Sequence, residues 1–214
     1  MRKPFFEKLR SILFPRGLVC ISCGEEAVTD GIGFCENCAM KLEPFNSAPP
    51  LESVDGYCAS FVYNEASSGP VKRLKYNNAR YLSRNLAETI RLPGEWEIDR
   101  VAPVPLHYKR EGKRGYNQCL LVAKHLCRRT GLALGDGLLI KVKDTAQQAR
   151  LSEAGRKRNL KNAFSASDEV KGLKILLLDD VRTSGATLTE CAKTLKKAGA
   201  EKVYAYTICF AKPR

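Results

Sequence analysis

Four consecutive apolar residues, Ile175 to Leu178, run directly into Asp179 and Asp180 and then into Val-Arg-Thr-Ser-Gly-Ala-Thr, ending at Thr187. An apolar run without alternation suits a strand covered on both faces, as in the middle of a parallel sheet flanked by helices. Open sheets of that class bind ligands at the carboxyl ends of their strands, which places both acids at the mouth of a crevice. The stretch Arg182 to Thr187 reads as a tight loop entering a helix. Backbone N–H groups, the helix dipole and three hydroxyls converge there on one spot, an arrangement that holds a phosphate. The GxxxxGK pattern of a Walker loop does not occur. Two acids beside a phosphate site repel phosphate but accept hydrogen bonds from hydroxyls. A ligand with a phosphate at one end and a vicinal diol a few ångströms away satisfies both halves, and that describes a ribose 5-phosphate. Helix capping and solvent contact are the alternative for the acids, but a cap needs only one.

The rest of the chain fits an α/β reading. Asp55 to Asn64 alternates, with Tyr57, Ala59, Phe61 and Tyr63 on one face of a half-buried strand. Leu82, Leu86 and Ile90 form a helical stripe expected to end at Leu92-Pro93-Gly94. Arg100 to Val104 reads as a short strand, and Tyr116, Cys119, Leu120, Ala123 and Cys127 as the stripe of a helix closed by Gly131. A further strand is expected at Leu138 to Val142. The stripe Leu188, Cys191, Ala192 and Leu195 marks a helix capped near Gly199, with a last strand at Val203 to Phe210. Strands alternating with helices argue for a parallel sheet.

Four of the nine cysteines are patterned, as Cys20-x-x-Cys23 and Cys35-x-x-Cys38. Two such knuckles supply the four tetrahedral thiolates of a closed structural zinc site. A pair of redox motifs is the alternative, although such a motif is normally single and placed beside a βαβ unit. The other five lie among apolar neighbours, as reduced core thiols do. Residues 1–17 read as a short amphipathic segment and not a signal peptide, because Glu7, Lys8 and Arg10 break its apolar residues. The expected compartment is therefore the reducing cytoplasm, where patterned cysteines bind metal. Residues 18–44 are expected to form a zinc ribbon. The proline- and serine-rich residues 45–53 are expected to be a linker, and 54–214 a second domain.

Lys and Arg number 36 against 23 Asp and Glu, a formal net charge of +13. Zinc on four thiolates lowers this to about +11. Such a balance favours polyanionic partners, nucleic acid or a polyphosphorylated small molecule, with solubility alone as the alternative. Basic residues sit beside tyrosines at Lys72-Arg-Leu-Lys-Tyr76 and at Lys109 to Tyr116, with another basic cluster at Arg156-Lys-Arg158. Cations that follow phosphates and rings that stack on unpaired bases are what a single-stranded DNA surface needs. No apolar run approaches the ~20 residues of a membrane span. His107 reads either as a phosphate donor or as a surface or turn histidine, and no hydrolase triad can be assembled from spacing.

The stretch ILLLDDVRTSGATL closely resembles the phosphoribosyl-pyrophosphate (PRPP) motif of type I phosphoribosyltransferases. The four-cysteine pattern, VAPVPLHYKREGKRGYNQ and QARLSEAGRKRNLKNAF resemble the ComF/GntX competence-protein family in particular, and the resemblance spans almost the whole chain. It implies a type I phosphoribosyltransferase-like parallel sheet flanked by helices, with a small N-terminal zinc ribbon. Asp179 and Asp180 would bind the ribose 2- and 3-hydroxyls and stabilise positive charge on the ring. Val181, Arg182, Thr183, Ser184, Gly185, Ala186 and Thr187 would complete the PRPP site, with the 5-phosphate on Thr183 to Thr187. Arg182 stands where the family often has an apolar residue, and either adds a phosphate contact or points into solvent. Pro105, Leu106, His107 and Lys109 match the pyrophosphate loop, and Arg156, Arg158 and Lys161 fall in a stretch like the mobile loop of amidophosphoribosyltransferases. Mg²⁺, chelated by the pyrophosphate and the ribose hydroxyls, is the implied second metal. The family also implies natural competence, single-stranded DNA and a helicase of the competence machinery as partners. An active transferase with no DNA role is the alternative, and no residue run names its acceptor.

Overall fold

The computed structural model describes residues 18–144 and 160–212. Five parallel strands form its sheet in the order β1 (Gly56–Val62), β7 (Lys202–Phe210), β6 (Lys174–Arg182), β2 (Arg100–Pro103) and β3 (Ala133–Leu134). Side chains of β6 alternate between two apolar layers. Ile175 and Leu177 pack with Leu188, Cys191 and Leu195 of helix α6 (Ala186–Lys197). Leu176 and Leu178 pack with Leu74 of α2 (Glu65–Tyr76), Leu86 of α3 (Leu82–Glu88) and Leu126 of α5 (Gln118–Thr130). Coverage on both faces explains why the strand reads as an unbroken apolar run. The resulting architecture is the expected parallel sheet flanked by helices, with the cysteine cluster at its N-terminal side.

The connections place the crevice. From β2 the chain crosses through α5 to β3, toward one edge of the sheet, while from β6 it crosses through α6 to β7, toward the other. The order therefore reverses between β2 and β6, and such a switch point opens a cleft beyond the strand ends. β2 stops at Pro103, opposite Leu178, whereas β6 continues beside β7 until Arg182 faces Phe210. Beyond Leu178 one edge of β6 is thus released from strand pairing, and the first residues of α5 reach it.

Several elements differ from expectation. The strand after Lys174 extends four residues past Leu178, so Asp179 and Asp180 belong to it rather than following it. The strand expected at Leu138 to Val142 forms as β4 (Leu139–Lys141), but it pairs antiparallel with β5 (Phe164–Ala166) in a separate two-stranded sheet. Tyr116 lies before α5, where Asn117 caps the helix by accepting from the Cys119 amide, and Gly131 closes it in the left-handed region at φ 77°. Tyr108–Arg114 is helical, here α4, with no buried residue. The short helix α1 (Glu36–Met40) starts inside the second cysteine knuckle.

Candidate ribose-phosphate site and cysteine cluster

Asp180 is 7% exposed and hydrogen-bonded on both oxygens. Lys75 Nζ lies 2.8 Å from Oδ1, and Gln118 Nε2 donates to Oδ2 at 2.7 Å. Asp179 Oδ1 accepts from the Asp180 amide at 2.8 Å and from the Cys119 thiol at 3.4 Å. Burial and the neighbouring Asp180 charge push the Asp179 carboxyl up to about 6, against the opposing pull of Lys75, the Asp180 amide and the Cys119 thiol. Burial works against the charge on Lys75 as well, but the Asp180 carboxylate outweighs it and leaves the lysine's pKa raised. The Cys119 thiol is driven well above its ordinary value by burial and by both aspartates, so it is a donor here and not a nucleophile. Above about pH 6 Asp179 is ionised, with the Lys75 ammonium held beside its neighbour.

Ser184 and Gly185 turn the chain from β6 into α6. Gly185 caps that helix with φ 79°, a left-handed conformation glycine adopts without strain, and the Ser184 hydroxyl accepts from the Ala186 amide at 3.5 Å. A Cβ on Gly185 would come within 2.3 Å of Leu51, so residues before the sheet press against this loop. Val181, partly buried, packs on the layer of α2 and α5.

Arg182 does not point into solvent. It is buried, its guanidinium lies 4.2 Å over the Tyr57 ring and 5.3 Å from that of Phe210, and Nη2 donates to the Pro49 carbonyl at 2.5 Å. An apolar residue at this place would fill the same space, whereas the arginine also ties down the segment carrying Leu51.

Pro105 and Leu106 line a cavity of about 250 Å³ together with Pro103, Tyr108, Asn117 and Lys141. His107 is 4% exposed and is neither a surface histidine nor open to a ligand through Nδ1, which accepts from the Lys109 amide at 3.4 Å and caps α4. Lys109 is exposed, 3.5 Å from Asp144. Lys161 lies in an exposed turn. Arg156 and Arg158 fall outside the described residues.

The cysteines at 20, 23, 35 and 38 converge, with their sulfurs all within 4.8 Å of one another. The Cys23 and Cys35 sulfurs are 4.0 Å apart, against about 3.8 Å for two thiolates on one tetrahedral zinc. Amides of Ser22 and Cys35 donate to Cys20 Sγ at 3.4 and 3.3 Å, the support a metal-bound thiolate receives. Although burial raises it, those amides and that of Cys23 bring the Cys20 thiol down to about 6. The donor set fits zinc.

Helix α2 joins this cluster to the crevice. Ser22 Oγ donates to Ala66 O at 2.9 Å, Arg73 Nη1 donates to Ile21 O at 3.2 Å, and a Cβ on Gly69 would stand 2.9 Å from Ser22 O. Lys75 lies at the far end of the same helix. The sequence grouped it with the basic residues of a DNA surface, and no local pattern separates an inward lysine from its outward neighbours. Gln118 and Cys119 were equally silent as partners of the acids.

Lys72 and Arg114 of that group, and Arg80 outside it, do meet aromatic rings, Lys72 at 5.7 Å from the centroid of Tyr63. Arg114 lies 5.7 Å from the centroid of Tyr76, which is 68% exposed, and Arg80 lies 4.6 Å from that of Tyr116. Two basic clusters separated in sequence are thereby brought to one surface.

The sequence model of the phosphoribosyl transferase domain matches residues 117–214. A protein of Salmonella typhimurium named DNA utilization protein YhgH is 33% identical over 193 residues, covering 89% of this chain and 83% of the relative. The chain belongs to the ComF family. Competence protein F of Haemophilus influenzae is 28% identical over 218 residues, covering 86% of the chain and 93% of that protein. Competence protein ComFC of Streptococcus pneumoniae is 27% identical over 200 residues, with 89% and 86% covered. The matched domain begins at Asn117, so this ComF-family chain contributes Lys75 from outside it. Among the described residues no helix is long and apolar enough to cross a membrane.

Proposed function

We propose that this ComF-family chain binds PRPP with Mg²⁺ between β2 and β6 and uses that site in the handling of single-stranded DNA during natural competence. The observation that carries the reading is the position of the Asp179-Asp180 pair, at the switch point and directly ahead of the turn that caps α6. Asp179 and Asp180 accept from the ribose hydroxyls, and the amides and hydroxyls of Thr183 to Thr187 hold the 5-phosphate. The diphosphate extends toward Pro105, Leu106 and Lys109, where the loop after β2 opens. Mg²⁺, when bound with the ligand, would supply positive charge to offset that of the diphosphate. Charge on a ring carbon losing pyrophosphate would develop beside the two carboxylates, which is where an oxocarbenium-like state is stabilised.

The DNA part of the proposal draws on the names of the relatives, DNA utilization and competence proteins, and on the meeting of Arg114 with Tyr76. Calorimetric titration with Mg²⁺ and PRPP tests the site: saturable binding is expected, and its loss in Asp179→Asn/Asp180→Asn. A wild-type chain without PRPP affinity would remove the assignment. A transferase acting apart from DNA would use the same crevice, and release of pyrophosphate on addition of candidate amines or bases, with no salt-dependent affinity for single strands, would identify it.

A further inference from the structure

The Asp179-Asp180 pair has a charge problem that its own strand does not solve. Two adjacent carboxylates, Asp180 buried and Asp179 half-buried, do not both stay ionised without a nearby cation. The groups facing them are Gln118 and Cys119 from α5, Cys191 from α6, Tyr57 from β1, Cys209 from β7, and two cations, Lys141 from β4 and Lys75 from α2. Of those two cations Lys75 makes the contact, at 2.8 Å, with 21% of its side chain exposed. Lys141 acts only through space, and burial lowers its own pKa.

A buried ion pair of this kind is weak support for stability, since apolar groups of similar volume often do as well. Its placement is nonetheless well defined. The Asn64 side chain accepts from the Ser67 amide while the Ser67 hydroxyl accepts from the Asn64 amide, fixing the start of α2, and Ser22 and Arg73 fix its flank. The lysine takes Oδ1 of Asp180 and Gln118 takes Oδ2, so the pair is oriented from two different helices.

We propose that Lys75 is the positioning residue of the ribose grip: paired with Asp180, it keeps both carboxylates ionised and aimed, and therefore able to accept hydrogen bonds from two hydroxyls of a vicinal diol. The proposal rests on the reading of Asp179-Asp180 as ribose-binding. It makes α2, a helix outside the matched transferase segment, a required part of the ligand site. Lys75 acts through Asp180 and is not itself a catalytic residue.

The test compares wild type with Lys75→Met, Lys75→Arg and Lys124→Met, the last an exposed residue of α5 that serves as the control for lost charge. Zinc content and a thermal melt establish that each variant is folded. Carbon-13 NMR of aspartate carboxyls follows the pair in the ligand-free chain between about pH 5 and 9, and calorimetry gives the affinity for Mg²⁺ and PRPP over the same range. In Lys75→Met the carboxyl titration is expected to move upward, and affinity near pH 7 to fall by about twofold for the first pKa unit moved and about tenfold for each unit beyond pH 7, part of it returning at alkaline pH. Lys75→Arg restores the titration, and Lys124→Met matches wild type. Unmoved carboxyls in Lys75→Met, or an affinity loss equal at every pH, would overturn the proposal. Should Lys75→Met not fold, Lys75→Arg against wild type carries the same comparison, since a cation of different reach retains the ionisation while changing the affinity; altered ionisation in that variant would overturn the proposal. Absence of PRPP binding in wild type is a separate failure, that of the ribose reading, and the carboxyl titration then still decides whether Lys75 holds the pair ionised.

Discussion

Asp179→Asn is expected to stabilise the ligand-free protein while abolishing its ribose site. Burial and Asp180 hold the Asp179 carboxyl at about 6, above its ordinary 3.8. A carboxyl raised in the folded state keeps its proton after the unfolded chain has lost it. The contribution of Asp179 to stability is therefore greatest below about pH 4, falls as pH rises toward about 6, and stays reduced above that. At about 1.4 kcal/mol per tenfold difference in proton affinity, ionised Asp179 costs the folded chain about 3 kcal/mol near pH 7. Asparagine cannot ionise, yet it still offers an oxygen to the Asp180 amide and the Cys119 thiol. Zinc-loaded Asp179→Asn should accordingly melt several degrees above wild type near pH 7, at about 2–4 °C per kcal/mol for a chain of this size. Melts of the two proteins side by side, from about pH 4 to 8, make the comparison. The gain should shrink below about pH 6 and vanish near pH 4. Equal or lower stability near neutral pH, or a gain independent of pH, would refute the reasoning.

Three other substitutions probe separate parts of the account. Gly185→Ala places a Cβ 2.3 Å from Leu51 in a left-handed backbone conformation. A loss of about 1–3 kcal/mol in urea denaturation is expected, with weakened phosphate binding by calorimetry. Gly69→Ala drives a Cβ to 2.9 Å from the Ser22 carbonyl and should separate α2 from the cysteine cluster, raising amide exchange along Glu65–Tyr76. Wild-type exchange in that variant would show that the contact is slack. Tyr76→Ala removes the ring beneath Arg114 and should weaken single-strand affinity by about 1–3 kcal/mol with little change in its salt dependence, measured by fluorescence anisotropy.

The parts legible in the sequence were those written in local pattern. Ile175 to Leu178 announced a strand covered on both faces, the cysteine spacing announced a four-thiolate cluster, and Gly131 marked the end of α5. The silent parts depend on partners distant in sequence. Lys75 looked like one basic residue among several, and only the packing of α2 turns it toward Asp180. Helix α4 has no apolar stripe, so its existence rests on the His107 cap and the left-handed Gly115 at its two ends. Arg182, which the sequence places within a phosphate-binding run, is held by Tyr57, Phe210 and the Pro49 carbonyl, all from other segments. Leu139–Lys141 had the composition of a strand, but composition does not say which sheet a strand joins, and it pairs with Phe164–Ala166.

The most direct measurement is a calorimetric titration of the zinc-loaded chain with PRPP in the presence of Mg²⁺, run beside Asp179→Asn/Asp180→Asn. Saturable one-to-one binding by wild type, dependent on Mg²⁺ and absent in the double variant, is the predicted result. No binding by wild type, or undiminished binding by the double variant, would contradict the claim that these two acids and the turn after them form a grip for ribose phosphate.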